Sequence, residues 1–164
     1  MEIRAADLKD KAEIIALYER SQFATSLPNP ALIPPAELGQ RLYDRQAIER
    51  FVAIEGGRIV GHAMIEEPNS EHEEIWRQAL DNTCDALVEM GAAFVEPALS
   101  GQGIWSSLLL HRIILIRKAG AHPVTATWDT NEHVKRTFKS YGGINAGRQT
   151  TPLGEVALFV FQLR

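Results

Sequence analysis

Apolar residues recur along this chain in two rhythms, one helical and one alternating or continuous, and glycine or proline marks most of the changes between them. Glu2 to Ala5 predicts a short strand. Asp7 then stands as a helix N-cap ahead of Leu8, Ala12, Ile15 and Tyr18, an apolar stripe at helical spacing. Residues 22–35 contain Pro28, Pro30, Pro34 and Pro35 and exclude a regular helix, whereas Ala36 to about Asp44 can form one after the proline pair. Phe51–Glu55 and Arg58–Ile65 are apolar-rich runs joined by Gly56-Gly57, a hairpin signal. Residues 66–85 are acidic and polar with Ile75, Trp76 and Leu80 as scattered apolar points, which predicts an inserted loop carrying one short helix.

Ala86 to Val95 predicts a buried strand, and Ile104 to Lys118 a helix whose stripe includes Ile104, Leu108, Leu109, Ile113 and Ile116. Gly120 closes that helix. Val124–Trp128 is the next strand, Glu132–Tyr141 a helix ended by Gly142-Gly143, and residues 147–151 and 156–163 a final antiparallel pair. Periodicity alone supports an α+β or mixed α/β sheet domain. No repeats or low-complexity segments interrupt it.

Composition narrows the class. The 164 residues suggest one domain, 1–164, able to bury roughly 70% of its unfolded surface without disulfides or metal. A net charge of -4 with interspersed signs supplies no basic stripe, so no nucleic-acid partner is expected. No apolar run approaches the ~20 residues of a membrane span, and the N-terminus lacks a signal-peptide layout, so no membrane partner is expected. A lone Cys84 fits a reducing, cytoplasmic setting. Histidines 62, 72, 111, 122 and 133 lack paired ligand spacing, and no metal is expected.

The stretch from Phe94 to Leu108 carries the most chemistry. An apolar strand ends, Ser100-Gly101-Gln102-Gly103 turns the chain, and a helix begins at Ile104. Unpaired N–H groups of a helix's first turn and the positive end of its dipole favour an anion there, and glycines admit a phosphate closely. Position 106 is Ser where a dinucleotide fingerprint has its third glycine, and no Lys-Ser/Thr follows Gly103, so neither that fingerprint nor a nucleotide P-loop is present. A helix-entry turn without any ligand is the plain alternative.

The loop resembles the acetyl-coenzyme A loop of the GNAT superfamily of N-acetyltransferases, Gln/Arg-x-x-Gly-x-Gly/Ala, with Ser100 and Trp105 departing from it at the two ends. Val95-Glu96-Pro97, the run Ser106–Leu110, the segment around Asn131 and the element order along the whole chain are similar to the same family. The resemblance implies a mixed, mostly antiparallel central sheet of six to seven strands flanked by helices, with the fourth and fifth strands splayed. It implies acetyl-CoA as cosubstrate, its arm along Phe94 and Val95 and its pyrophosphate on the N–H groups of Gly101, Gln102, Gly103, Ile104, Trp105 and Ser106. Asn131 and Phe138 complete the implied cofactor contacts, with helix capping as the plain role of Asn131.

Some family members carry a glutamate base where this chain has Glu89, a residue whose plain alternative is a place at a solvent-facing strand entrance. Position 138 is Phe where the family's usual proton donor is Tyr, and Tyr141, one turn later, is the candidate substitute, a structural aromatic being its alternative. Acceptors are implied to bind near Phe23–Ile33, Tyr43 and the 66–85 insertion. The expected activity is transfer of an acetyl group to a primary amine of a small molecule or peptide. A catalytically weak acyl-CoA-binding or regulatory domain and an interaction module are the alternatives. Family precedent admits a homodimer through the last two strands.

Overall fold

The computed structural model describes residues 1–22, 40, 43–83 and 86–162. The strands are β1 (Glu2–Ala5), β2 (Glu49–Glu55), β3 (Arg58–Glu66), β4 (Leu87–Val95), β5 (His122–Trp128), β6 (Gly143–Thr151) and β7 (Gly154–Phe161). The helices are α1 (Lys11–Gln22), α2 (Ser70–Ala79), α3 (Ile104–Lys118) and α4 (Glu132–Ser140). The sheet runs β1-β2-β3-β4-β5-β7-β6 and is mostly antiparallel, with β4 and β5 parallel. Of the helix expected at 36–44 only Gln40, Tyr43 and Asp44 are described, all helical. The acceptor segment 23–33 and Cys84 lie outside the described residues.

Contacts divide the chain into two compact units, Met1–Met64 with Ala92–Leu109 and Ile65–Gly91 with Leu110–Arg164. In the first, β1 pairs with β2 from Glu2↔Ile54 to Ala5↔Phe51. Gly56 and Gly57 turn the β2–β3 connection at φ 56° and 77°, backbone that L side chains adopt only under strain. Helix α1 buries Ile14, Leu17 and Tyr18 against Val52 and Ile59. The stripe expected from Leu8 and Ala12 is out of phase, because Leu8–Asp10 form a 3-10 turn before the helix starts at Lys11. Leu8 is left 83% exposed. Asp10 holds that turn, its carboxylate accepting from both Arg4 Nη1 and Nη2 and from the Asp7 N–H.

In the second unit β5 and β6 both pair antiparallel with β7. Trp76 and Leu80 from the inserted segment pack on Leu87, Val124, Val156, Leu158 and Val160. Strand β6 starts at Gly143, four residues before the sequence pattern suggests, because Gly142 at φ 85° ends α4 and the strand follows at once. A register shift between Asn145 and Gly147 bends it. A side chain at Gly147 would stand 3.0 Å from Ile75 Cγ2 on α2.

Candidate active site

In the first unit, Pro97–Leu99 form a 3-10 turn after β4, and Ser100 N–H closes it on Pro97 O. Gly101 and Gly103 follow at φ 82° and 80°, with open space where a Cβ would stand. Backbone conformation, not crowding, therefore requires glycine there, and the ground before the helix stays clear. The first intrahelical bond of α3 runs from Ser107 N–H to Gly103 O at 2.9 Å. The N–H groups of Ile104, Trp105 and Ser106 precede it and have no intrahelical partner.

No acidic residue stands in that first turn. By contrast α2 and α4 begin on Asn69 and Asn131, whose side chains accept from Glu71 N–H and Val134 N–H. Among the described helices only α3 opens on glycines with no acidic residue in its first turn. That donor set fits a pyrophosphate.

The cradle is anchored from beneath. Ile104 is 3% exposed, and a Cβ on Gly61 of β3 would lie 2.9 Å from its Cγ2 and 3.0 Å from Leu108 Cδ1. Gly61 thus permits α3 to approach the sheet. It was not singled out from sequence, where it is one glycine in a strand pattern. Trp105 and Ser106 are half-buried, and Ser100, Gly101, Gln102 and Gly103 are exposed. Phe94 is half-buried and meets the Tyr18 ring edge-on at 4.6 Å. The Tyr18 hydroxyl is bonded to His62 Nδ1 at 2.8 Å, and burial pushes its pKa up.

The second unit holds the candidate base. Glu89 is 9% exposed, and its Oε2 accepts the Asn69 N–H at 2.8 Å, so it does not stand at a solvent-facing entrance. Parallel pairing of β4 and β5 covers Leu87↔His122, Val88↔Pro123 and Glu89↔Val124. At the next carbonyl, Met90 O, the donor is the Thr125 hydroxyl at 2.8 Å. Gly91 O accepts from Arg112 Nη1 at 2.9 Å. Burial pushes the Arg112 guanidinium down to about 10, with the Glu66 carboxylate opposing that shift. Arg112 follows Ile104 and Leu108 at steps of four, and that spacing is the sequence signal that marks it as buried.

Asn131 caps α4 through its side-chain oxygen, 3.3 Å from Val134 N. Phe138 is 4% exposed and packs on Phe159 and Phe161, so its ring lies in the core. Tyr141 lines a cleft of about 500 Å³ with Arg117, Lys139, Gly142, Gly143 and Gln162. Registers align Glu89, Val124, Val160 and Ile144 across the sheet, which sets the backbone near Tyr141 about 14 Å from Glu89 at the usual strand spacing. The two candidate catalytic residues are not brought together. Among the described residues no group of three or more His, Cys, Asp or Glu could hold a metal, and no helix is long and apolar enough to cross a membrane.

The fourth strand of the sheet leads through Gly101 and Gly103 into α3, and β4 and β5 pair in parallel. The sequence matches the family model for the acetyltransferase (GNAT) family over residues 13–142, and the chain belongs to that family. An N-acetyltransferase from Staphylococcus aureus Mu50 is similar at TM-score 0.70 and 20% identity, covering 99% of this chain and 98% of its own. The structure of yncA from Salmonella typhimurium with its cofactor acetyl-CoA is similar at TM-score 0.71 and 22% identity, covering 100% and 94%. PaiA N-acetyltransferase from Thermoplasma acidophilum, in complex with coenzyme A, is similar at TM-score 0.71 and 13% identity, covering 96% of each chain. These likenesses show the fold. No curated protein sequence matches the chain.

Proposed function

We propose that this chain transfers an acetyl group from acetyl-CoA to the primary amine of a small molecule or peptide. The observation that carries the reading is the start of α3, where Gly101 and Gly103 clear the approach to a first helical turn that opens at Gly103 with no acidic residue in it. The relatives seen with coenzyme A and acetyl-CoA support it. Acetyl-CoA, when bound, supplies an activated acyl thioester.

The residues of this chain then divide the work. The N–H groups of Gly101 and of Gly103 to Ser106 hold the pyrophosphate, while Gln102 N–H stays on Leu99 O, and the backbone of Phe94 and Val95 offers an edge for the arm. Glu89 takes the proton that the attacking amine must lose, from a buried position where the carboxylate is held by Asn69 N–H. Phe138 has no proton to give, and its place in the core favours the second reading, an acyl-CoA-binding domain with weak catalysis. A thiol of pKa ~8.5 makes a missing donor tolerable near neutral pH.

Calorimetric titration with acetyl-CoA, followed by thiol release across a panel of amines, tests this. Binding with acceptor-dependent release is expected. Binding without release leaves the second reading, and no binding at millimolar acetyl-CoA overturns both.

A further inference from the structure

Two successive residues of α1 grip two successive residues at the end of β4. Arg20 Nε and Nη2 reach Glu96 Oε2 at 3.0 and 2.9 Å, and Ser21 Oγ donates to Val95 O at 3.1 Å. Ser21 is only 3% exposed. A serine hydroxyl inside a helix commonly returns to the carbonyl four residues back. Here it reaches a strand.

The edge on which it acts follows from the backbone. Glu96 N–H donates to Val60 O on β3 at 2.8 Å. Successive residues of an extended strand aim their N–H and C=O groups to opposite edges, so those of Val95 point away from β3. Val95 immediately precedes the turn that leads to the phosphate-type cradle at 101–106. A ligand with phosphates on that cradle and an amide-bearing arm, as in acyl-CoA, has this edge as its nearest row of main-chain partners.

We propose that Ser21 is a positioning residue for the cosubstrate: in the free protein its hydroxyl holds the Val95 carbonyl in place of an amide N–H of the acyl-CoA arm, and it yields that carbonyl on binding. The proposal rests on the acetyl-CoA reading above. The hydroxyl satisfies a carbonyl beyond the β4–β5 pairing, which among the described residues covers Leu87 to Glu89. The arm must displace it, so the contact lowers affinity while it stabilises the free chain.

The test compares wild type with Ser21→Ala, Ser21→Thr and Ser21→Cys, using acetyl-CoA and adenosine 3′,5′-bisphosphate, which lacks the amide arm, as calorimetric probes. Ser21→Ala is expected to bind acetyl-CoA about 2- to 10-fold more tightly, the range set by one neutral hydrogen bond, with bisphosphate affinity unchanged. Ser21→Thr keeps the hydroxyl and should match wild type. Ser21→Cys, a weaker donor, should move part of the way and serves if the alanine variant does not fold. Equal or weaker acetyl-CoA binding by the Ala or Cys variant, or a parallel change for the bisphosphate, overturns the role of Ser21 while leaving the acetyl-CoA reading intact. Failure of wild type itself to bind acetyl-CoA overturns both.

Discussion

The carboxylate of Glu89 accepts the backbone N–H of Asn69 at 2.8 Å, so the N-cap of α2 is tied to the strand that carries the candidate base. Glu89→Gln keeps an oxygen for that N–H and removes the ability to take a proton. Acceptor-dependent turnover should fall about 100- to 10,000-fold with acetyl-CoA affinity unchanged. Steady-state kinetics across pH check this, and an unchanged rate and pH profile would remove Glu89 from the mechanism.

Gly61 lies under the first turn of α3, and Gly61→Ala places a methyl 2.9 Å from Ile104 Cγ2. Overpacking of that kind costs about 1–3 kcal/mol. For a chain of this size, Tm should drop by roughly 2–12 °C. Acetyl-CoA affinity should weaken as well, since Ile104 begins the cradle. Thermal unfolding and calorimetry on the same preparation separate a stability loss alone from a loss of both.

Arg4 and Asp10 form a two-bond pair at 2.7 and 3.0 Å. The hydrogen bond from Arg4 chiefly holds the Asp10 carboxyl below its ordinary value. A carboxylate with a depressed folded-state pKa stabilises the fold above its unfolded value, ~3.9, and loses that contribution as pH falls through the folded value. Asp10→Asn should cost about 1–3 kcal/mol at pH 7. Urea unfolding should show the gap to wild type closing below pH ~4. A gap constant with pH would contradict the ionic role.

His72 is 6% exposed, and neither its ring nitrogens nor Trp76 Nε1 has a hydrogen-bond partner among the described residues. The two rings meet edge-on at 5.4 Å. Burial lowers the His72 pKa, so wild type should lose stability as pH falls below the ordinary value of ~6.5. His72→Phe removes two orphaned nitrogens and should stabilise the protein by about 1 kcal/mol at pH 7, and by more at pH 5.5. Denaturant unfolding at the two pH values decides it. A destabilised variant at both would show the imidazole to be a satisfied part of the core.

Much of the fold was legible because its signals are local. The hairpin at Gly56-Gly57, the α3 stripe from Ile104 to Ile116 and the glycines at 101 and 103 each declare themselves within a few residues. Other features were misread where a short-range event changed the phase. The 3-10 turn at Leu8–Asp10 precedes α1, and Ile14 and Leu17 join the expected Tyr18 on its buried face in place of Leu8 and Ala12.

By itself the sequence determined the order of elements and the glycine-led start of α3, since backbone dihedrals and helix ends depend on near neighbours. Only tertiary structure decided which distant residues meet within each unit. Gly61 under Ile104, Ser21 on Val95, Asn69 on Glu89 and Arg112 on Gly91 are contacts between residues 20 to 74 positions apart. Tertiary structure likewise assigned Phe138 to the core and set Tyr141 in a separate cleft. Such pairings depend on packing and register across the sheet, which no local pattern encodes.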